Sequence, residues 1–231
     1  MSDKRRKSTS AGQRSGGNRA ATGKPNSAST ALRIIGGSMR GRPLTYHGDP
    51  RTRPMKDRVR EAVFNLLGES VKGCHAIDLF AGTGALALEA ISRGAIRATC
   101  VERHFPSARL IERNARELEV ADRVDTVAGD TFIWALRHGG LAERATDATP
   151  WCVFCSPPYA LFVDRRDDML QLIEAVMQAA PPRSQLVVES DDQFDVETAC
   201  PGVTWDVRRY APAIVAIADI GSGNSADSQG K

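Results

Sequence analysis

Two hydroxyl side chains stand on a rigid turn at Ser156-Pro157-Pro158-Tyr159, directly after the apolar residues 153–155. Neither proline has an N–H group and each holds φ at about −65°, so the backbone must leave its sheet there. Open α/β sheets bind ligands at the carboxyl ends of their strands. The segment therefore indicates either an ordinary turn that ends a strand or a binding turn that presents Ser156 and Tyr159 to a ligand.

A second segment combines an acid with glycines. A strand-like run ends at Asp78, a turn with Gly82 and Gly84 follows, and a helix begins. The pattern Gly82-x-Gly84-x-x-Ala87 also fits a dinucleotide fingerprint, with Glu102 in the place of a ribose-binding acid. Asp78 would then lie beside a pyrophosphate, where like charges repel. Its position instead favours a cofactor with no phosphate and a cationic amino group, such as S-adenosylmethionine.

Each acid in this scheme has a role toward the cofactor. The glycines let the backbone approach closely, Asp78 attracts the amino group, and Glu102 accepts hydrogen bonds from the ribose hydroxyls. Asp130, after the third strand, accepts from the adenine amine, caps the next helix, or does both. Phe80 either lines the cofactor or belongs to the core. We expect all of these residues near the cofactor.

These residues are positioned by alternating strands and helices. Strands are predicted at 76–80, 98–101, 123–127, 151–155, 185–189, 203–210 and 213–220, and helices at 84–93, 105–119, 131–138, 166–179 and 192–199. The alternation predicts an α/β fold with a doubly wound, mainly parallel seven-stranded sheet. Because only Ala211 and Pro212 separate the last two strands, these must be antiparallel. This ending is the plan of class I S-adenosylmethionine-dependent methyltransferases.

A small extension precedes this sheet. Two strand-like runs around Gly36-Gly37 predict a hairpin, and a helix capped by Asp57 follows. The apolar face predicted for that helix consists of Val59, Ala62, Val63 and Leu66, with Arg58 and Arg60 on its exposed side. We expect a disordered basic arm at 1–31, the hairpin and helix extension at 32–72, the methyltransferase domain at 73–220 and a disordered tail at 221–231.

Charge is unevenly distributed along the chain. Residues 1–60 hold fifteen Lys and Arg against three Asp, whereas the whole chain carries a net charge of +3. A basic arm on a mildly acidic domain favours a nucleic-acid partner, with a solubilising tail as the alternative.

No apolar run has the length of a membrane span, so we expect a cytoplasmic protein with no membrane partner. Cys74, Cys100, Cys152 and Cys155 are interpreted as small buried hydrophobes and no metal site is expected, although Cys152 and Cys155 form a C-x-x-C.

The motifs resemble those of a known family. Ser156-Pro157-Pro158-Tyr159 is similar to the (Asp/Asn/Ser)-Pro-Pro-(Tyr/Phe) motif of methyltransferases that modify exocyclic base amines, and it follows Asp-x-Phe-x-Gly-x-Gly in the matching order. Residues 33–44 and 52–67 resemble the start of the bacterial ribosomal RNA small-subunit methyltransferase D family, the guanine-N2 enzymes. The resemblance covers about residues 32–220.

The resemblance implies methyl transfer from S-adenosylmethionine to N2 of a guanine in 16S rRNA, by a monomer acting on an assembled or assembling subunit. In this reading Ser156 Oγ and the Pro157 carbonyl accept hydrogen bonds from the amine. Pro158 completes the turn and Tyr159 stacks on an extruded base. The family segment also implies that Arg53 contributes to the methionine end of the cofactor or to the substrate entrance.

RNA contacts are expected from arginines that bind phosphates, namely Arg33, Arg40, Arg42, Arg58 and Arg60. The chain departs from the family at Ser156, where Asp or Asn is usual, and this leaves cytosine N4 or adenine N6, in RNA or DNA, open as the target. A catalytically silent RNA-binding homologue and a nicotinamide dehydrogenase are the remaining alternatives.

Overall fold

The computed structural model describes residues 1, 32–46, 48, 55–137 and 139–221. The strands are β1 (His75–Asp78), β2 (Arg97–Glu102), β3 (Val124–Ala128), β4 (Trp151–Cys155), β5 (Ser184–Ser190), β6 (Asp206–Tyr210) and β7 (Ala213–Ile220). The helices are α1 (Asp57–Leu67), α2 (Ala85–Ser92), α3 (Phe105–Glu117), α4 (Thr131–Leu136), α5 (Leu141–Arg144), α6 (Leu161–Asp164), α7 (Arg166–Ala179) and α8 (Val196–Ala199). Apart from Met1, the arm predicted at 1–31 lies outside these residues, and so do residues 222–231 of the predicted tail.

In the described part of the chain, seven strands form one sheet in the order β3-β2-β1-β4-β5-β7-β6. Strands β1 to β5 run parallel, and β7 pairs antiparallel with both β5 and β6. The predicted fold class is therefore confirmed, including the antiparallel last strand. The strand order reverses between the neighbours β1 and β4, and ligands of open α/β sheets bind at such a point.

Each face of the sheet carries its own hydrophobic cluster, because successive residues of a strand point to opposite faces. Ala76 and Phe154 belong to one cluster, while Ile77 and Val153 belong to the other. Residues of α1, α2 and α3 complete the first cluster, and residues of α4 and α7 complete the second. Burial on both faces explains why β1 and β4 have no alternation of polar and apolar residues.

The extension before β1 shares its core with the sheet. Residues 32–44 fold back as predicted, but through an isolated antiparallel bridge between Arg33 and Pro43 rather than a ladder. Leu32, Ile34 and Leu44 are buried in the same cluster as α1, β1 and β2. The hairpin therefore packs as part of the core of the domain.

Helix α1 buries a face that only partly overlaps with the predicted one, since Val59 and Val63 are buried as predicted but Leu66 is not. Its buried residues are Val59, Arg60, Val63, Phe64 and Leu67. Leu66 remains 37% exposed. Asp57 is the first helical residue and the N-cap position is Lys56, without a side-chain cap, so the predicted Asp57 cap is wrong.

Arg60 is fully buried, so the expectation that it contacts RNA is also wrong. Its Nη2 donates to the carbonyl of Arg33 at 2.6 Å and to Asp57 Oδ1 at 3.1 Å, and its Nε lies 3.9 Å from a Glu89 oxygen. Glu89 in turn accepts hydrogen bonds from the N–H groups of Ile35 and Gly36, each at 2.7 Å. Arg60 and Glu89 thus join the hairpin to α1 and α2.

All five cysteines are free and buried, which agrees with the interpretation of Cys74, Cys100, Cys152 and Cys155 as small hydrophobes. No group of three or more metal-ligating side chains occurs among the described residues. Within the same ranges, no helix combines the length and the apolar character needed to span a membrane.

Candidate active site

Asp78 is the last residue of β1 and belongs to the predicted cofactor site. Its carboxylate is 1% exposed, and its Oδ1 has no hydrogen-bond partner among the described residues. Burial, and after it the charge of Glu102, raises the pKa of Asp78 from 3.8 to about 7, although the N–H groups of Phe80 and Ala87 oppose this shift. A buried acceptor without a partner is unfavourable unless a ligand supplies one. Asp78 therefore fits a cationic or N–H-bearing group of a bound cofactor.

The glycine turn after β1 has a backbone shape that other residues rarely adopt. Gly82 and Gly84 have φ values of 53° and 76°, and Gly84 stands at the N-cap of α2. A Cβ atom on Gly84 would lie 3.0 Å from Ile111 Cγ2 of α3. Gly84 is thus required by its positive φ and by its close contact with α3.

Glu102, at the end of β2, holds this turn. One carboxylate oxygen accepts from the N–H of Gly82 at 2.7 Å, and the other accepts from the N–H of His104 at 2.7 Å. Each oxygen has a second lone pair that these bonds leave available. Glu102 can therefore brace the turn and still accept hydroxyl hydrogen bonds from a ribose.

Asp130 caps α4, as one of its two predicted roles requires. Its Oδ1 accepts from the N–H groups of Phe132 at 2.9 Å and Ile133 at 3.3 Å. Its Oδ2 lies 3.8 Å from Nη1 of Arg165, a residue that the sequence reasoning missed. The role of Asp130 toward adenine remains a prediction.

Aromatic rings lie next to Asp130. The ring centroids of Phe80 and Phe132 are 5.9 Å apart, and the Arg165 guanidinium lies 4.0 Å above the Phe132 ring. Phe80 is half-buried and packs against the second hydrophobic cluster. The two rings therefore meet edge to face at the carboxyl ends of β1 and β3.

The turn after β4 leaves the sheet as predicted. The carbonyls of Pro158 and Tyr159 accept from the N–H groups of Leu161 and Phe162 and thereby start α6. Within the described residues, no hydrogen bond uses the carbonyl of Pro157. Asp78 pairs in register with Phe154, so the Ser156 end of β4 lies beside the Asp78 end of β1. The predicted catalytic and cofactor segments are therefore brought together at the strand-order reversal.

Glu189 is a site residue that the sequence reasoning missed. It lies near the end of β5, is 7% exposed, and accepts hydrogen bonds from the Ser156 hydroxyl and, at 2.9 Å, from the Tyr159 hydroxyl. Burial, with the charge of Glu189 as the next cause, raises the pKa of the Tyr159 hydroxyl well above its usual range. The available signal was an acid directly after the apolar residues 186–188 of the predicted fifth strand.

The arginines predicted to bind RNA are divided by the structure. Arg33, Arg40, Arg42 and Arg58 are exposed, in contrast to Arg60. The Arg42 Nη2 donates to the carbonyl of Glu117 at 2.6 Å, which fixes the hairpin against the last turn of α3. Arg53, predicted at the cofactor or substrate entrance, lies outside the described residues.

The outer face of α3 adds a surface that was not predicted. Phe105 is 65% exposed at the start of this helix. Together with Arg109 and Arg113 it lines a surface depression of about 400 Å³ among the described residues. The spacing of the two arginines from Phe105 on one helix was visible in the sequence.

Comparison with known proteins identifies relatives of this chain. The family model described as Conserved hypothetical protein 95 matches residues 32–212. Ribosomal RNA small subunit methyltransferase D of Escherichia coli strain K12 is 38% identical over 138 residues, which are 59% of this chain and 65% of that protein.

Solved structures share the fold. A hypothetical protein of Thermus thermophilus superposes with a TM-score of 0.65 at 24% identity, covering 82% of this chain and 100% of that one. An RNA methyltransferase of Salinibacter ruber, solved with S-adenosylhomocysteine, has a TM-score of 0.55 at 20% identity, covering 76% and 98%. The chain has the class I methyltransferase fold and belongs to the Conserved hypothetical protein 95 family, so the resemblance to the ribosomal RNA small-subunit methyltransferase D family is confirmed.

Proposed function

We propose that this chain transfers a methyl group from S-adenosylmethionine to N2 of a guanine in small-subunit ribosomal RNA. The observation that carries the proposal is the buried Asp78 carboxylate beside the glycine turn, next to the Ser156 turn on the neighbouring strand. Its Oδ1 has no hydrogen-bond partner among the described residues. The name of the Escherichia coli relative supports small-subunit rRNA as the substrate. The proposed place of action is the cytoplasm, where subunits are assembled, and the proposed active form is a monomer.

The cofactor site is proposed to consist of residues at the ends of β1, β2 and β3. When bound, S-adenosylmethionine supplies an electrophilic methyl group on a sulfonium sulfur. Asp78 binds the amino group, Glu102 binds the ribose hydroxyls, and the Gly82 backbone, held by Glu102, lets the ligand approach closely. A dinucleotide is disfavoured, since its pyrophosphate would approach the Asp78 carboxylate.

The Ser156 turn is proposed to hold the target base. An exocyclic amine is a poor nucleophile because its lone pair is delocalised into the ring. Hydrogen bonds from its N–H groups to Ser156 Oγ and to the Pro157 carbonyl favour a pyramidal, more nucleophilic nitrogen. Pro157 and Pro158 make this geometry rigid. The Tyr159 ring, which belongs to the same turn, stacks on an unpaired base.

An exposed basic surface supports an RNA partner. It comprises Arg40 and Arg42 of the hairpin and, on α3, Arg109 and Arg113 beside Phe105. The contact of Arg42 with the last turn of α3 joins the two parts. Because α3 begins three residues after Glu102, this surface extends from the cofactor site toward the hairpin. Arginines bind phosphates without regard to sequence, and an exposed aromatic ring can stack on a base.

The proposal is tested by incubating the protein with labelled S-adenosylmethionine and unmodified small ribosomal subunits, digesting the RNA and identifying the methylated nucleoside. We expect N2-methylguanosine. Label on cytosine or adenine would show that this base is the target instead of guanine. The neutral Ser156 side chain keeps this alternative open. No label, with RNA binding intact, would identify a silent RNA-binding protein. Calorimetry tests the remaining alternative, a nicotinamide dehydrogenase. Binding of NAD without binding of S-adenosylmethionine would indicate that enzyme.

A further inference from the structure

Glu189 is a buried acid whose hydrogen-bond partners among the described residues both belong to the proposed catalytic turn. Its carboxylate is 7% exposed, and the described residues supply no Lys, Arg or His within ion-pair distance of it. Buried carboxylates are usually compensated by a cation, because the loss of hydration is unfavourable. Here the Ser156 and Tyr159 hydroxyls are the groups that hydrogen-bond to it. A group that is unfavourable for folding and directed at the site points to a functional role.

The hydrogen bond to Glu189 fixes what Ser156 can do. A serine hydroxyl has one proton and two lone pairs, so a free hydroxyl can either donate or accept. An ionised carboxylate can only accept, and the Ser156 proton is therefore directed to Glu189. The Ser156 lone pairs remain for a ligand. Polarisation along such a chain of hydrogen bonds makes the hydroxyl oxygen a better acceptor.

This constraint distinguishes amino from keto substituents on a base. An amine brings N–H groups, which an acceptor can bind. A carbonyl oxygen brings lone pairs, which face the Ser156 lone pairs without a proton between them. Sites that leave such groups unpaired reject the wrong substrate strongly. The Tyr159 hydroxyl is held in the same way, so both hydroxyls of the turn are fixed by one carboxylate.

We propose that Glu189 is a positioning residue that fixes the Ser156 hydroxyl as a hydrogen-bond acceptor and thereby directs transfer to an amino-bearing base. The inference rests on the proposed function. It explains how a serine acts at a motif position where the related enzymes usually have Asp or Asn. The charge of that acid is supplied from the neighbouring strand β5.

The test is single-turnover methylation of unmodified small subunits with labelled S-adenosylmethionine at saturating subunit concentration. Glu189→Gln is expected to lower the rate roughly 10- to 100-fold, the loss expected for a hydrogen bond to a charged group. The half-saturating subunit concentration and the calorimetric affinity for S-adenosylmethionine should each change less than about twofold. Glu174→Gln, on the exposed side of α7, is the charge-matched control with unchanged rate.

Two further variants separate positioning from a structural role. In a double-mutant cycle made in the Tyr159→Phe background, which removes the other Glu189 contact, Ser156→Ala with Glu189→Gln should be no slower than Ser156→Ala alone, because Glu189 then acts through Ser156. Ser156→Asp in the Glu189→Gln background should restore part of the rate, since it returns a charged acceptor to the turn. If Glu189→Gln does not fold, Glu189→Asp keeps the charge, shortens the reach by one methylene and should still slow transfer.

The outcomes distinguish this inference from the function on which it rests. A wild-type protein that methylates no small subunit overturns both. Wild-type transfer together with an unaffected Glu189→Gln variant, additive losses in the cycle, or no rescue by Ser156→Asp overturns the role of Glu189 and leaves the proposed function in place.

Discussion

Replacing Asp78 by Asn should stabilise the fold while weakening cofactor binding. Asp78 is buried with one oxygen unpartnered, and its pKa is raised from 3.8 to about 7. A carboxyl group whose pKa is higher in the folded state holds its proton more tightly when folded. The stability that the protonated Asp78 carboxyl contributes is fully present below about pH 4 and is lost as the pH rises to about 7.

The size of this effect follows from the two pKa values. Each pKa unit corresponds to about 1.4 kcal/mol, so the difference between 3.8 and about 7 corresponds to roughly 4 kcal/mol. Asn has a similar shape and does not titrate. The free energy of unfolding of Asp78→Asn, relative to wild type, should therefore increase by roughly 4 kcal/mol between about pH 4 and about pH 8.

The assay is equilibrium urea unfolding of wild type and Asp78→Asn at a series of pH values. Asp192→Asn, which removes an exposed carboxylate, is the matched control and should show little pH-dependent difference. Calorimetry should show a roughly 10- to 100-fold loss of S-adenosylmethionine affinity in Asp78→Asn. For wild type, the affinity should rise with pH up to about 7, because binding needs the ionised carboxylate. A stability difference that does not vary with pH would refute the reasoning.

Gly84→Ala should lower the free energy of unfolding by about 1–3 kcal/mol, because the φ of Gly84 is +76° and a Cβ atom there would press on α3. Urea unfolding measures this change, and an unchanged stability would contradict the strain. Arg60→Met should lower the free energy of unfolding by about 3 kcal/mol, whereas Arg58→Met, exposed on the same helix, should change it by less than about 0.5 kcal/mol; equal effects would mean that Arg60 is not a structural link. Glu189→Gln should lower the pKa of the Tyr159 hydroxyl, since it removes a nearby negative charge. Ultraviolet titration, with Tyr159→Phe subtracted, should detect the change, and an unmoved titration would contradict the contact.

The strands and long helices could be predicted from sequence because local pattern determines them. The predicted ranges 151–155, 213–220 and 166–179 agree with β4, β7 and α7. The four-residue helices α5 and α6 were missed, since one turn is too short to show a helical period. Strand β6 begins at Asp206 rather than 203, which is a boundary error within a correctly predicted element.

Arg60 shows why the helix face was wrong. Helical spacing identifies a buried stripe by its apolar residues, and an arginine on that stripe is assigned to solvent. Its burial depends on partners far away in sequence, the carbonyl of Arg33 and the carboxylate of Glu89. Helix α1 also packs against the hairpin as well as the sheet, which widens its buried face beyond the predicted stripe. Neither cause can be inferred from the spacing within α1.

The segments of the candidate site were predicted one strand at a time, and Glu189 was missed because the strands were treated separately. Asp78 ends β1, Ser156 follows β4 and Glu189 is the last but one residue of β5. The neighbouring parallel pairs β1–β4 and β4–β5 bring these ends together. The motif contains only the neutral side chain of Ser156. In the sheet, the Ser156 hydroxyl donates a hydrogen bond to the Glu189 carboxylate of the neighbouring strand. In the proposed mechanism, the chemistry available at Ser156 therefore depends on Glu189, near the end of the neighbouring strand, which supplies the charge that the Ser156 side chain lacks.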